Sequence, residues 1–98
     1  MKLGKVIGTV VATQKNPALE GCKLLIVRDV APDGKPGDGY VVAIDAVGAG
    51  AGEVVLTVAG SSARITPRTQ DCPVDATVIG IVDTVEADGK ITYRKGGN

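Results

Sequence analysis

Two carboxylates and a guanidinium bracket the most unusual stretch of this chain. Asp45 and Glu53 flank a run in which Gly48, Gly50 and Gly52 alternate with Ala49 and Ala51, and Arg64 follows the Gly60-Ser61-Ser62 turn. Paired carboxylates can divide general acid and base work, and a glycine-rich loop after a strand can cradle a phosphate. Spacing tests the second idea directly. A dinucleotide fingerprint reads G-x-G-x-x-G between a strand and a helix, because the helix N-terminus supplies the N–H groups that hold the pyrophosphate. Here the glycines fall at every second position, and the residues that follow, Glu53 to Val58, have the composition of a strand. A P-loop needs Lys and then Ser or Thr after its last glycine, where this chain has Glu53 and Val54. Glu53 would repel a phosphate. The nucleotide reading fails.

Catalysis fares no better. The chain contains no histidine, which removes the commonest general base and the commonest metal ligand together. Asp45 and Glu53 would need a cleft to act in, and nothing in the sequence marks one. Enzymes do manage with carboxylates or lysine alone, but structural or interface roles for these residues are the expectation, with no metal held. Glycines in such a loop serve the backbone, either through positive φ or through close approach of another chain. That leaves a wide hairpin turn, or a loop crowded around a symmetry axis where side chains would block the centre. Asp45 lies in an apolar strand whose alternation turns it to solvent. Any of the three charged residues that is buried should be paired. Arg64 is the natural partner, since it can grip a carboxylate with two parallel hydrogen bonds. Whether such a pair forms within one chain or across a subunit boundary is open at this level. Asp45, Ser61, Ser62 and Arg64 are therefore assigned structural or interface roles.

The elements that position these residues read as strands. Leu3–Thr13 is rich in β-branched residues and broken by Gly4 and Gly8, suggesting a long, bent strand. Cys22–Val30, Tyr40–Val47, Glu53–Val58 and Ala76–Ala87 follow, and Asp88-Gly89 predicts a two-residue hairpin turn into Lys90–Arg94. Asn16–Gly21 and Ala31–Gly39 have loop and turn composition. Ser61–Pro73 has no sustained period, with room for one short helical turn capped by Ser61 or Ser62. Lys95–Asn98 reads as a frayed tail. Short strands at such spacing predict an all-β fold, a small OB-like β-barrel with at most one short helical turn.

At 98 residues the chain is one domain, 1–98. A domain this size buries only roughly 60–65% of its unfolded surface. This one has neither Phe nor Trp, so valine and isoleucine must fill the core, and further burial against copies of itself is expected. Eleven basic and eleven acidic residues cancel, and the lysines are dispersed, so the footprint of a nucleic-acid binder is missing. Tyr40 and Tyr93 are the only aromatics, few for a surface that stacks bases. An OB-type module for single-stranded nucleic acid or another small ligand is the alternative reading. No apolar run approaches the ~20 residues of a membrane span, and no signal peptide opens the chain. A cytoplasmic protein with reduced, partly buried Cys22 and Cys72 is expected.

Four blocks carry a resemblance: "LGKVIGTVVATQK" (Leu3–Lys15), "LEGCKLLIV" (Leu19–Val27), "AIDAVGAGAGEVVLTVAGSSAR" (Ala43–Arg64) and "PVDATVIGIVD" (Pro73–Asp83). In this order they resemble the EutN/CcmL family, the vertex proteins of bacterial microcompartment shells. The likeness covers nearly the whole chain, and the Asp33–Gly39 loop and the C-terminal tail are where members should differ. It implies an OB-like barrel that assembles as a homopentamer at the five-fold corners of a shell in the bacterial cytoplasm. Hexameric microcompartment shell proteins would form the facets around it. It also implies no enzymatic activity and no cofactor, beside the expectation of no nucleic acid and no membrane from charge and apolar-run length. Gly48, Ala49, Gly50, Ala51, Gly52 and Glu53 match the stretch that lies near the five-fold axis, around a small central pore.

Overall fold

The computed structural model describes residues 1–70 and 73–97. Among the described residues seven strands account for almost all regular structure: β1 (Lys2–Val10), β2 (Leu24–Val30), β3 (Pro36–Asp45), β4 (Val54–Ala59), β5 (Ala76–Ile81), β6 (Thr84–Ala87) and β7 (Lys90–Arg94). Single 3-10 turns lie at Pro17–Leu19 and Gly60–Arg64. The first five strands close into a barrel in the order β1-β2-β3-β5-β4. Every neighbouring pair is antiparallel except β3 and β5, and β4 returns to β1. This is the expected OB-like arrangement, and closure leaves the barrel without a free edge.

The core has the predicted aliphatic character. Val6, Leu25, Val27, Ala43, Ala49, Val55, Ala76 and Val78 form one buried cluster, with Val41 and Ile81 packed on it. Tyr40 is exposed and Tyr93 only half-buried, so no aromatic ring fills the interior. β1 bends at a bulge between Val6 and Gly8, as its glycines suggested. At Gly4 the reason is steric. A Cβ there would overlap Val27 Cγ1 and stand 3.0 Å from the backbone oxygen of Arg28. Gly4→Ala should therefore lower stability by about 1–3 kcal/mol through overpacking. Urea unfolding at fixed protein concentration measures it, and an unchanged midpoint would mean that the β1–β2 wall yields freely.

Several boundaries differ from the sequence reading: β1 ends at Val10 rather than Thr13, β2 begins at Leu24 rather than Cys22, and β3 ends at Asp45 rather than Val47. β3 starts at Pro36, so part of the Ala31–Gly39 segment read as turn is strand. Gly39 there lies against Asp29, where an added Cβ would sit 2.6 Å from Oδ2. The strand expected over Ala76–Ala87 breaks at Val82-Asp83. The Val82 N–H still donates to Val54 in the barrel (2.8 Å), whereas the Asp83 carbonyl accepts from Lys95 N–H (2.7 Å) and starts the separate β6–β7 hairpin. That hairpin turns at Asp88 (φ 52) and Gly89 (φ 75), the two-residue turn its sequence predicts. The turn at Gly60–Arg64 exists, but Ser61 and Ser62 do not cap it. Ala59 occupies the N-cap position and no side-chain bond closes that end. The turn is held instead by Thr77 Oγ1, which donates to the buried Ala63 carbonyl at 2.6 Å, and by Gly60 N–H on Asp75 (2.9 Å). Cys22 is a half-buried free thiol; the expectation for Cys72 lies outside the described residues. Among the described residues no helix is long and apolar enough to cross a membrane.

Candidate functional site

The loop from Ala46 to Glu53 joins β3 to β4, and its two flanking carboxylates both serve its backbone. At the entrance Asp45 Oδ1 accepts the N–H groups of Val47 and Gly48, each at 3.0 Å. This is an Asx-type turn. At the exit Glu53 Oε1 accepts the Gly50 N–H at 2.6 Å, while Oε2 pairs with Lys95 Nζ at 3.1 Å. Between them Ala49 is fully buried and plugs into the barrel core, and its carbonyl accepts from Lys23 Nζ at 2.9 Å. Gly52 N–H to Val6 O (2.8 Å) and Val6 N–H to Glu53 O (2.9 Å) continue the ladder between β1 and β4. The loop is fixed at both ends and pinned in its middle.

The three glycines have different reasons to be there. Gly48 (φ 82) and Gly52 (φ 85) occupy the left-handed region that side chains disfavour. Gly50 does not, and a Cβ on it would meet only Glu53 Oε1 at 3.4 Å. Among the described residues, and apart from the two neighbours in sequence, no atom lies within 4 Å of where a Cβ would stand on Gly48 or Gly52. The loop thus offers backbone and methyl groups to open space.

Glu53 is held below the ordinary carboxylate value, first by the Gly50 N–H and next by Lys95. Lys95 is raised in return by Glu53. A depressed carboxylate stabilises the fold above its unfolded pKa and loses that contribution as pH falls through the folded value. The loop contact should therefore persist at neutral pH and fail on acidification below the ordinary 4.5. The Lys95 half of the pair fails at the other extreme, above 10.5. In an NMR titration the Gly50 amide proton should move sharply upfield only below that acid threshold. A shift centred at or above the ordinary value would show that Glu53 does not hold the loop.

Arg64 departs from the sequence expectation. It is exposed, and its Nη1 donates to the Val74 carbonyl at 2.9 Å, so the pair with Asp45 or Glu53 does not form within the chain. Ser61 and Ser62 are likewise exposed. The partner that Glu53 does have, Lys95, belongs to a segment read as a frayed tail. Nothing in its local composition announced that role, because the contact depends on the hairpin carrying the chain back to the loop. Lys23 was equally hidden, a surface lysine just before β2. Among the described residues no group of His, Cys, Asp and Glu could hold a metal ion.

The carboxylates of Asp45 and Glu53 are thus both taken up by the loop's own backbone and by Lys95. The sequence profile described as "Ethanolamine utilisation protein EutN/carboxysome" matches residues 1–83. The carboxysome shell vertex protein CcmL of Synechocystis is 48% identical over 97% of this chain and 95% of its own length. The bacterial microcompartment shell vertex protein EutN of Salmonella typhimurium is 48% identical over 97% and 96%. Among solved structures, CcmL of Gloeobacter violaceus superposes with a TM-score of 0.92 at 46% identity, covering 97% of this chain and 98% of that one. The pentameric microcompartment shell protein GrpN of Rhodospirillum rubrum gives 0.79 at 50% identity, covering 89% and 98%. The class is that of structural shell vertex proteins. The chain belongs to the EutN/CcmL family.

Proposed function

We propose that this chain closes into a ring of five and caps the corners of a microcompartment shell, with Gly48–Glu53 turned toward the ring axis. The observation that carries this reading is the loop itself, rigidly anchored yet with open space around Gly48 and Gly52. Five copies converging on one axis would use that space, and only glycine and alanine leave room for them. A ring forms from one head-to-tail interface when the rotation per subunit divides the circle. Arg64, Ser61 and Ser62, exposed in the single chain, are free to meet a neighbouring subunit, where Arg64 could still find a carboxylate.

The mechanism is geometric. Facets built of hexameric shell proteins are flat and have edges, and five-fold units at their corners add the curvature that shuts them. The subunit needs no reacting group for this, only a ring face and a rim that docks on the facets. Coexpression with a hexameric shell protein, followed by electron microscopy, tests it. Closed polyhedral particles are expected with the chain, and open sheets or tubes without it. Particles of the same form in both samples would overturn the proposal.

A further inference from the structure

The β6–β7 hairpin leans on the barrel without sealing against it. Thr92 Oγ1 donates to the Pro32 carbonyl at 2.6 Å, and Lys95 Nζ pairs with Glu53 at 3.1 Å. Beside the first of these ties lies a cavity of about 120 Å³. Leu3 and Val54 wall it from the barrel, Val30 and Pro32 from the end of β2 and the turn after it, and Val85 and Tyr93 from the hairpin. The pairing of β6 with β7 slips between Val85 and Glu86, which leaves Thr92 without a cross-strand partner and brings it to the cavity together with Tyr93. Leu3, Val30 and Val85 are only half-buried.

The lining says what would fit. Its walls are mostly apolar, and an empty apolar space forfeits dispersion contacts along them, while water finds few partners there. An engineered apolar cavity of about 150 Å³ holds benzene, so this one suits a slightly smaller body. Among the described residues no carboxylate borders it, and the one cation that does is Lys5. Lys5 is exposed, which puts it at the mouth, and it makes no ion pair or hydrogen bond among the described residues. Its cross-strand neighbour on β2 is Arg28, a second positive charge and not a counter-ion. The hydroxyl of half-buried Tyr93 likewise makes no hydrogen bond among the described residues. An apolar slot with an ammonium and a phenol at its border calls for a short hydrocarbon ending in an anionic acceptor.

We propose that the cavity between barrel and hairpin is a binding site for a small monocarboxylate, its alkyl chain lying among Leu3, Val30 and Val85 and its carboxylate at Lys5 and Tyr93. The inference does not depend on how copies of the chain assemble. Butyrate is the probe, titrated at neutral pH into the protein in its own oligomeric state and read by methyl NMR. Methyls of Leu3, Val30, Val54 and Val85 should shift saturably, with a Kd of about 1 mM for so small a ligand, while those of Leu25 in the core stay still. Lys5→Met keeps the apolar stem and removes the charge, and should weaken binding roughly tenfold or more. Val85→Phe fills the space and should abolish binding, with Val85→Leu in its place if the first variant does not fold. 1-Butanol should bind at least about tenfold more weakly than butyrate, and n-butylammonium should give no saturable shift. The absence of a saturable butyrate shift, an unchanged Kd in Lys5→Met, or butanol binding as tightly as butyrate would overturn the proposal. So would a cryo-electron microscopy map in which a neighbouring copy's side chain fills the cavity.

Discussion

Leu25→Ala is expected to remove about 2–5 kcal/mol of unfolding free energy, the usual range for truncating a fully buried leucine. Leu25 is 0% exposed and heads the largest fully buried side chains. Its neighbours in the cluster are valines and alanines, short side chains that cannot swing far into the space left behind. With no aromatic ring in the interior, Ile44 is the one other fully buried side chain of this size among the described residues. A domain with about 5–15 kcal/mol in total would lose a large part of it. Urea unfolding must be run at one protein concentration, because association adds to apparent stability by mass action. A loss below about 1 kcal/mol would mean that the barrel collapses around the site and that its core is less tightly specified than these contacts imply.

Gly50→Val should have the opposite profile, with the barrel intact and the ring lost. Gly50 lies outside the positive-φ region, and its Cβ would meet only Glu53 Oε1 at 3.4 Å. Valine can therefore be accommodated in the single chain, whereas at Gly48 or Gly52 backbone strain would confuse the result. At the axis, each added side chain confronts those of the other subunits. Overpacking costs about 1–3 kcal/mol per site, and five sites carry it together. The pentamer should disappear, or persist only at much higher concentration, while the thermal transition of the monomer stays cooperative. Sedimentation velocity reads the first and circular dichroism the second. A pentamer of undiminished affinity would remove Gly50 from the axis.

Much of this protein was legible in its sequence because local chemistry and global fold agree. The Asp88-Gly89 turn, the bend before Gly8, and the aliphatic strands each follow from the residues at that spot. What escaped was non-local. The start of β3 at Pro36 depends on Gly37 and Gly39 lying against Asp29, a contact made by the neighbouring strand. The break at Val82-Asp83 is invisible in a continuous run of β-formers, because it reflects a change of hydrogen-bonding partner from β4 to the hairpin's return. In the loop, spacing was enough to reject a phosphate site and to single out Asp45 and Glu53. Their employment on loop N–H groups, and the reach of Lys95 and Lys23, came only with the fold. Arg64 illustrates the converse: guanidinium chemistry suggested a carboxylate, and the single chain gives it a carbonyl.

The resemblance to shell vertex proteins and the physics of the loop meet in one spatial statement, and a cryo-electron microscopy map of the isolated assembly examines it most directly. The account predicts five copies around one axis, with Gly48–Glu53 of each copy lining the centre. A map in which these residues face solvent on the outer rim, or in which the assembly has no five-fold axis, would contradict it.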